Sequence, residues 1–282
     1  MSSKQDRPAG TLHVVGTPIG NLGDLSLRAR DVLGAVDVIA AEDTRRTRRL
    51  LSSIGLKATT IAFHDHNEAE LTPGLLERLR DGESIALVSD AGTPLISDPG
   101  WRLVRAALAD GIEVLSVPGP SAVSAALSVC GLPTDRFVFE GFLPRRSAQR
   151  NVRLEALRRE TRTMVFFESV HRLGRTLGEL AKQFGGERDA AIARELTKLH
   201  ECVYTGSLAD LGARLGDGIP LRGEFVVIVA GTHAASGPEE SEALQVFSVL
   251  CEELPPDKAV TLCARITGLP RNAVYRLTRM KD

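Results

Sequence analysis

The sequence predicts an α/β protein of two strand-and-helix domains followed by a small helical domain. Three observations predict it. Apolar β-prone runs alternate with helical patterns through the first 232 residues, as in sheets covered by helices. Three early strands each run directly into a loop of Gly, Pro and small residues. A small, polar and acidic stretch, Thr232–Ala243, then separates this body from three more helical patterns.

In order, Leu12–Val15 reads as a strand, Leu25–Leu33 as a helix, Val36–Ala41 as a strand and Thr44–Ile54 as a helix. Strand Ile85–Val88, helix Pro99–Ala109, strand Val114–Val117 and helix Ser121–Val129 complete the first half. Gly131-Leu-Pro133 breaks the chain near its middle, giving halves of ordinary domain size. The pattern resumes with Phe137–Phe139, helix Asn151–Arg159, strand Thr163–Phe167 and helix Arg172–Phe184. Strands Ala190–Arg194 and Cys202–Thr205, helix Leu208–Leu215 and strand Glu224–Ala230 follow. Beyond the linker, helices Val246–Glu253 and Asp257–Ile266, the turn Thr267-Gly-Leu-Pro270 and the basic helix Arg271–Met280 fit a helix-turn-helix outline. The expected layout is a lead-in over 1–10, α/β domains over 11–130 and 131–232, a linker over 233–243 and a helical domain over 244–282.

At 282 residues and 43% hydrophobic, the chain can bury more than one core. Its apolar runs are too short to span a bilayer, and the polar first ten residues lack the apolar centre of a signal peptide. Cys130, Cys202, Cys251 and Cys263 are scattered without a C-x-x-C pair, so neither a disulfide framework nor a zinc site is indicated. A cytoplasmic, reduced protein with no membrane partner is expected. The formal charge of −1 gives no whole-chain sign of nucleic acid, but the charge is unevenly placed. Four arginines and no acid lie between Arg45 and Arg49, and six arginines face one acid between Arg145 and Arg159.

The stretch Leu87-Val-Ser-Asp-Ala-Gly-Thr-Pro-Leu-Ile-Ser-Asp-Pro-Gly100 is the most informative segment. A strand there ends in residues that leave backbone groups open at its carboxyl end, where open α/β sheets bind ligands. Gly16-Thr-Pro-Ile-Gly-Asn-Leu-Gly23 and Pro118-Gly-Pro-Ser-Ala122 repeat the device after two other strands. Three such loops in one half make a nucleotide-sized ligand site.

The same loops, with Ala41-Glu-Asp-Thr-Arg45, Phe63-His-Asp-His-Asn-Glu68, Phe166-Phe-Glu-Ser-Val-His-Arg172 and Arg194-Glu-Leu-Thr-Lys-Leu-His-Glu201, carry a resemblance. The chain resembles the tetrapyrrole methylase superfamily of S-adenosylmethionine (AdoMet) enzymes, from about Gly10 to its C-terminus. Within it, the match is to the branch that 2′-O-methylates a decoding-centre cytidine of 16S rRNA, cytidine 1402. The resemblance implies two α/β domains with AdoMet in the cleft between them, a 16S rRNA substrate within the small ribosomal subunit, and a homodimer. It also implies that Pro18, Ala91, Gly92, Thr93, Ile96, Ser121 and Ala122 contact the donor, with Phe167 and Leu196 on the adenine side. Many relatives have Gly-Asp-Pro where this chain has Gly92-Thr93-Pro94, so Asp90 is the expected substitute for the missing carboxylate.

The residues themselves suggest where RNA would bind. Thr47, Leu50, Leu51 and Ile54 form the buried face of the Thr44–Ile54 helix, which leaves Arg45, Arg48 and Arg49 together on another. Guanidinium forks match phosphate oxygens, so this face is an RNA candidate. Arg145, Arg146 and Arg150 are the second, because cations before or at a helix start oppose the macrodipole and call for another reason. A ribose 2′-hydroxyl is a poor nucleophile, so a base is worth seeking; Glu168, His171, Glu195 and Lys198 are the candidates, Lys198 only with a depressed pKa. Glu168 and Glu195 are equally read as partners in a structural ion-pair network. His64 and His66 with Asp65 and Glu68 lack further ligands, and methyl transfer needs no metal, so no metal is expected. Two other functions compete. A methyltransferase of a small molecule such as a tetrapyrrole would need neither arginine cluster. A helix-turn-helix regulator would need more positive charge than Ser241–Asp282 holds, with six Lys/Arg against five Asp/Glu.

Overall fold

β1 (Thr11–Val15), β2 (Val38–Ala41), β3 (Thr60–Ala62), β4 (Ile85–Val88) and β5 (Glu113–Val117) form one sheet. Their order is β3-β2-β4-β1-β5 and every pair is parallel. This computed structural model describes residues 9–232 and 240–279. All four residues of β2 and of β4 are buried because helices cover both faces of the sheet. Side chains alternate between those faces: Ala40, Ile85 and Leu87 pack with α3 (Glu68–Arg80) and α4 (Trp101–Ala109). Ile39, Ala41, Ala86 and Val88 pack with α1 (Leu27–Ala35) and α2 (Thr44–Ser53). The connection after β1 runs towards β2 while that after β4 runs towards β5, so right-handed crossovers put their helices on opposite faces. A crevice therefore opens between the carboxyl ends of β1 and β4, the topological switch point of the sheet.

The second sheet comprises β6 (Phe137–Phe142), β7 (Thr163–Ser169), β8 (Asp189–Arg194), β9 (Cys202–Ser207) and β10 (Glu224–Val229), ordered β6-β7-β10-β8-β9. Only the β6–β7 pair is parallel; β10 runs antiparallel to β7 and β8. That direction brings the start of β10 beside the ends of β7 and β8, through the pairings Val226–Phe167 and Phe225–Arg194. One face packs on α6 (Ser147–Leu157), α7 (Leu173–Phe184) and α8 (Leu208–Ala213). The other packs on α5 (Ala122–Val129), whose Val123 and Ala126 meet Val165, Ala191 and Val226. Thus α5, which precedes the Gly131–Pro133 break, covers the second sheet, and residues 1–231 form one compact unit.

Residues 232–282 form the second unit. Helices α9 (Glu240–Glu253), α10 (Pro256–Thr267) and α11 (Arg271–Arg279) share a core of Ala243, Val260, Cys263 and Val274. Pro256 opens α10, where its missing N–H costs nothing, and Gly268 closes it at φ 72°. Helix α9 begins at Glu240, so the segment expected as linker up to Ala243 is partly helical; residues 233–239 and the first eight lie outside the described residues.

β3 and α3 escaped the sequence reading. β3 has only three residues, too few to show alternation, and α3 carries Pro73 inside it. The helix still forms because Leu75 and Leu79 bury against the sheet and acids in its first turn suit its N-terminus. α6 starts at Ser147, four residues earlier than expected, which places Arg150 in its first turn instead of ahead of it.

Candidate active site

The loops after β1, β4 and β5 are laced together by their backbones. Thr17 and Gly92 exchange hydrogen bonds, N to O at 2.9 Å and 3.0 Å, and Gly16 N donates to Val117 O at 3.0 Å. A Cβ on Gly16 would stand 2.8 Å from the Gly119 backbone, so only glycine permits this approach. Thr93 Oγ1 donates to Pro120 O at 3.2 Å, so this residue ties the second loop to the third.

Between these loops and the second sheet lies a cleft of about 460 Å³, a volume suited to a small molecule. Of the residues expected to contact the donor, Asp90, Ala91, Gly92, Thr93, Ile96, Ser121, Ala122, Phe167 and Leu196 all line it. Pro18 does not; its neighbour Ile19 takes that place. Phe167, Ala193, Leu196 and Val226 make the apolar wall, with Phe139 and Phe142 edge-on to Phe167 at 4.9 and 5.6 Å. Backbone strain concentrates at the rim. Leu95, Ser97, Glu195 and Thr197 have φ of 72°, 66°, 51° and 65°, left-handed values that non-glycine residues seldom adopt. Each pair flanks a cleft residue, Ile96 or Leu196.

Asp90 is held from both sides: Oδ1 accepts from Asp43 N at 3.0 Å and Oδ2 pairs with Arg46 at 3.3 Å. Glu42 and Asp98 also line the cleft, and neither was singled out from the sequence. Burial, with the nearby charges of Asp90 and Asp65, raises the Glu42 carboxyl above its usual range. Burial likewise pushes Asp98 up to about 6, helped by the charges of Glu42, Asp90 and Asp65 and opposed by a hydrogen bond from Ser89. Isolated acids in the sequence look like surface residues. Only the sheet order, which sets the ends of β2, β3 and β4 side by side, makes these three a cluster.

The expected catalytic residues are dispersed. Glu168 lines the cleft but is 3% exposed, and its oxygens accept from Thr176 Oγ1 at 2.5 Å and from Ser169 N at 2.8 Å, with Arg172 3.5 Å away. That is the structural network foreseen as the alternative. His171 is exposed and outside the cleft lining. Lys198 Nζ donates to Glu195 Oε1 at 2.8 Å and Glu224 Oε2 at 2.9 Å. Burial acts to lower its pKa, but the two carboxylates outweigh burial and hold it above the usual lysine value. Lys198 is therefore corrected as a base, since a base needs the opposite shift. Glu195 is held below its usual range, first by the hydrogen bond from Lys198.

The arginine clusters also separate. In α2, Asp43 caps the N-terminus through Arg45 N at 2.8 Å, and Thr47 and Leu51 are buried as expected. Arg45 folds back on Asp43 at 2.8 Å, Arg48 reaches Thr60 at 3.1 Å, and Arg49 is exposed. Arg145 and Arg146 are exposed, but Arg150 is 2% exposed and clamped by both oxygens of Glu179 and by the carbonyls of Pro144 and Arg145. Arg150 is thus corrected: its guanidinium is spent inside the protein, and phosphate cannot reach it. Among the described residues, no group of three or more His, Cys, Asp or Glu could hold a metal ion, and no helix is long and apolar enough to cross a membrane.

Residues 11–212 match the model of the Tetrapyrrole (Corrin/Porphyrin) Methylases, and residues 237–280 match that of the RsmI C-terminal HTH domain. The chain is 53% identical to the ribosomal RNA small subunit methyltransferase I of Xylella fastidiosa, over 94% of this chain and 98% of that protein. It is 47% identical to the protein of the same name from Escherichia coli O157:H7, over 96% and 95% of the two chains. Among solved structures it is similar in fold to diphthine synthase, with TM-score 0.60 and 18% identity over 78% of this chain and 90% of the other. It is also similar to the uroporphyrin-III C-methyltransferase of Thermus thermophilus complexed with S-adenyl homocysteine, with TM-score 0.53 and 20% identity over 78% and 97%.

Proposed function

The chain belongs to the tetrapyrrole methylase family and, within it, to the ribosomal RNA small subunit methyltransferase I proteins, and on that premise we propose that it transfers a methyl group from AdoMet to the ribose 2′-oxygen of a cytidine in 16S rRNA, cytidine 1402. The observation that carries the reading is the cleft, where three Gly/Pro loops face an apolar wall from the second sheet. Its residues fit the donor. Gly92, at φ 87°, lets the chain pass close to a ligand; Phe167, Leu196 and Ala193 offer an apolar bed for an adenine. Asp90, Glu42 and Asp98 give the cavity a negative field suited to a sulfonium and an ammonium.

AdoMet, when bound, supplies a methyl group already activated on a positively charged sulfur. The protein then has to exclude water and hold the ribose oxygen in line, and positioning alone is worth about 7–11 kcal/mol. Arg48, Arg49, Arg145 and Arg146 are exposed, as phosphate-binding residues must be. A tetrapyrrole substrate gives them no role. The test is methyl transfer from labelled AdoMet to 30S subunits followed by ribose-methylation mapping. Label at one 2′-oxygen in 16S rRNA is the expected result; label in no RNA, or on a base nitrogen, overturns it.

A further inference from the structure

We propose that Asp98, with Glu42 beside it, accepts the proton of the substrate's ribose hydroxyl. The inference rests on the ribose-directed activity proposed above and assigns its base. Both carboxylates line the cleft, as does Asp90. Asp90 is already committed to Asp43 N and Arg46, and one oxygen of Glu42 accepts from Asp90 N at 3.1 Å. Asp98 follows directly on the left-handed pair Leu95 and Ser97, so the strained turn that aims Ile96 into the cavity also sets its position. The other candidates are engaged or distant: Glu168 accepts from Ser169 N and Thr176 Oγ1, Lys198 is paired with Glu195 and Glu224, and His171 is outside the cleft lining.

The charges facing Asp98 suit it to the task. Glu42 follows β2, Asp65 follows β3, and Asp90 and Ser89 follow β4, while Arg46 of α2 pairs with Asp90 and partly offsets Glu42. Burial and the three acids bring Asp98 to about 6, close to the working pH and better matched to a hydroxyl proton than an ordinary aspartate. A bound sulfonium would lower that value and keep the group ionised. The same field turns phosphates away from the interior, while the exposed arginines attract them outside; the arrangement admits a ribose and leaves its backbone at the rim. In the step itself, the hydroxyl proton moves to an Asp98 oxygen as the 2′-oxygen bonds to the methyl carbon. The carbon–sulfur bond breaks, and its electron pair stays on sulfur as a neutral thioether.

Two readouts test this. In carbon-13 carboxyl spectra of the protein without donor, Asp98 should titrate near 6, and Glu42→Gln should move that titration to lower pH by removing a like charge. In single-turnover transfer to 30S subunits, the wild-type rate should rise with pH and level off at or below about 6. Asp98→Asn should lose on the order of 10²–10⁴ in rate and flatten the rise, with AdoMet affinity by calorimetry falling far less than the rate. Glu42→Gln should keep the rise and shift its break to lower pH. Full activity of Asp98→Asn at every pH overturns the proposal, as does a rate loss matched by an equal loss of donor affinity. Should Asp98→Asn fail to fold by circular dichroism, an unmoved break in folded Glu42→Gln overturns it instead. If the wild type labels no ribose, the functional reading falls and the carboxyl titration still reports on Asp98.

Discussion

Thr93 and Ala122 stand where bulk cannot be absorbed. Both line the cleft, and Thr93 Oγ1 already ties two loops together. Thr93→Arg or Ala122→Trp should fill the cavity and abolish AdoMet binding while far-UV circular dichroism stays unchanged; calorimetry showing wild-type affinity in both variants would remove the proposed site. Arg150 tests a different physics. Its loss leaves Glu179 charged and half-sheltered, takes the Arg150 donor from the Arg145 carbonyl and leaves the Pro144 carbonyl only the 3.5 Å contact from Arg172. Arg150→Ala should therefore cost stability towards the lower end of the roughly 3–5 kcal/mol typical of a broken buried pair, since Glu179 keeps some solvent contact. Urea denaturation reads that loss, and the salt dependence of RNA binding should not move. Lys198 belongs here too, since it keeps Glu195 and Glu224 neutralised beside the cleft and its stem passes so near Gly20 that a Cβ there would stand 2.4 Å from Lys198 Cγ. With a pKa held above the usual value, it stays charged across neutral pH. Lys198→Met should lower turnover without shifting the pH profile; a shifted profile would restore it as a proton-transfer group.

At the scale of elements, α2 shows how one helix divides its labour. Asp43 accepts from the Arg45 amide in its first turn, Thr47 and Leu51 anchor it to the sheet, and its arginines are left on the outside. Arg46 turns inward to Asp90 at the cleft, while Arg48 and Arg49 remain on the surface. Removing the charges of Arg48 and Arg49, or of Arg145 and Arg146 ahead of α6, should weaken 30S binding and flatten its salt dependence by about one unit of slope per lost phosphate contact. Donor affinity should not change. Equal methylation rates across salt would identify both faces as merely solvated. Arg150 was grouped with Arg145 and Arg146 because spacing alone cannot tell an arginine on the first turn of a helix from one ahead of it. The four-residue difference in where α6 begins decided which way that side chain points.

The whole molecule separates cofactor chemistry from whatever the C-terminal helices recognise. Every residue of the cleft belongs to the 1–231 unit, and the second unit has its own apolar core. A chain ending at Gly231 should fold and bind AdoMet with wild-type affinity, measured by calorimetry, while its transfer to 30S subunits reports the contribution of the missing helices. Loss of donor binding in a folded fragment would show that the cleft depends on the second unit. The sequence by itself determined the three Gly/Pro loops at strand ends, the alternation of strands and helices and the helical C-terminal unit. Each is written locally, in hydrophobic periodicity, in Gly and Pro at strand ends and in polar breaks. It missed β3, which is too short to show a period, and α3, which forms through burial against the sheet despite Pro73. Tertiary structure alone decided which charged groups meet. Glu42, Asp65, Asp90 and Asp98 converge because β2, β3 and β4 end along one edge, and Arg150 is buried because α7 carries Glu179 past it. Charge environment depends on distance through space, and residues far apart in sequence become neighbours only when the sheet order is set.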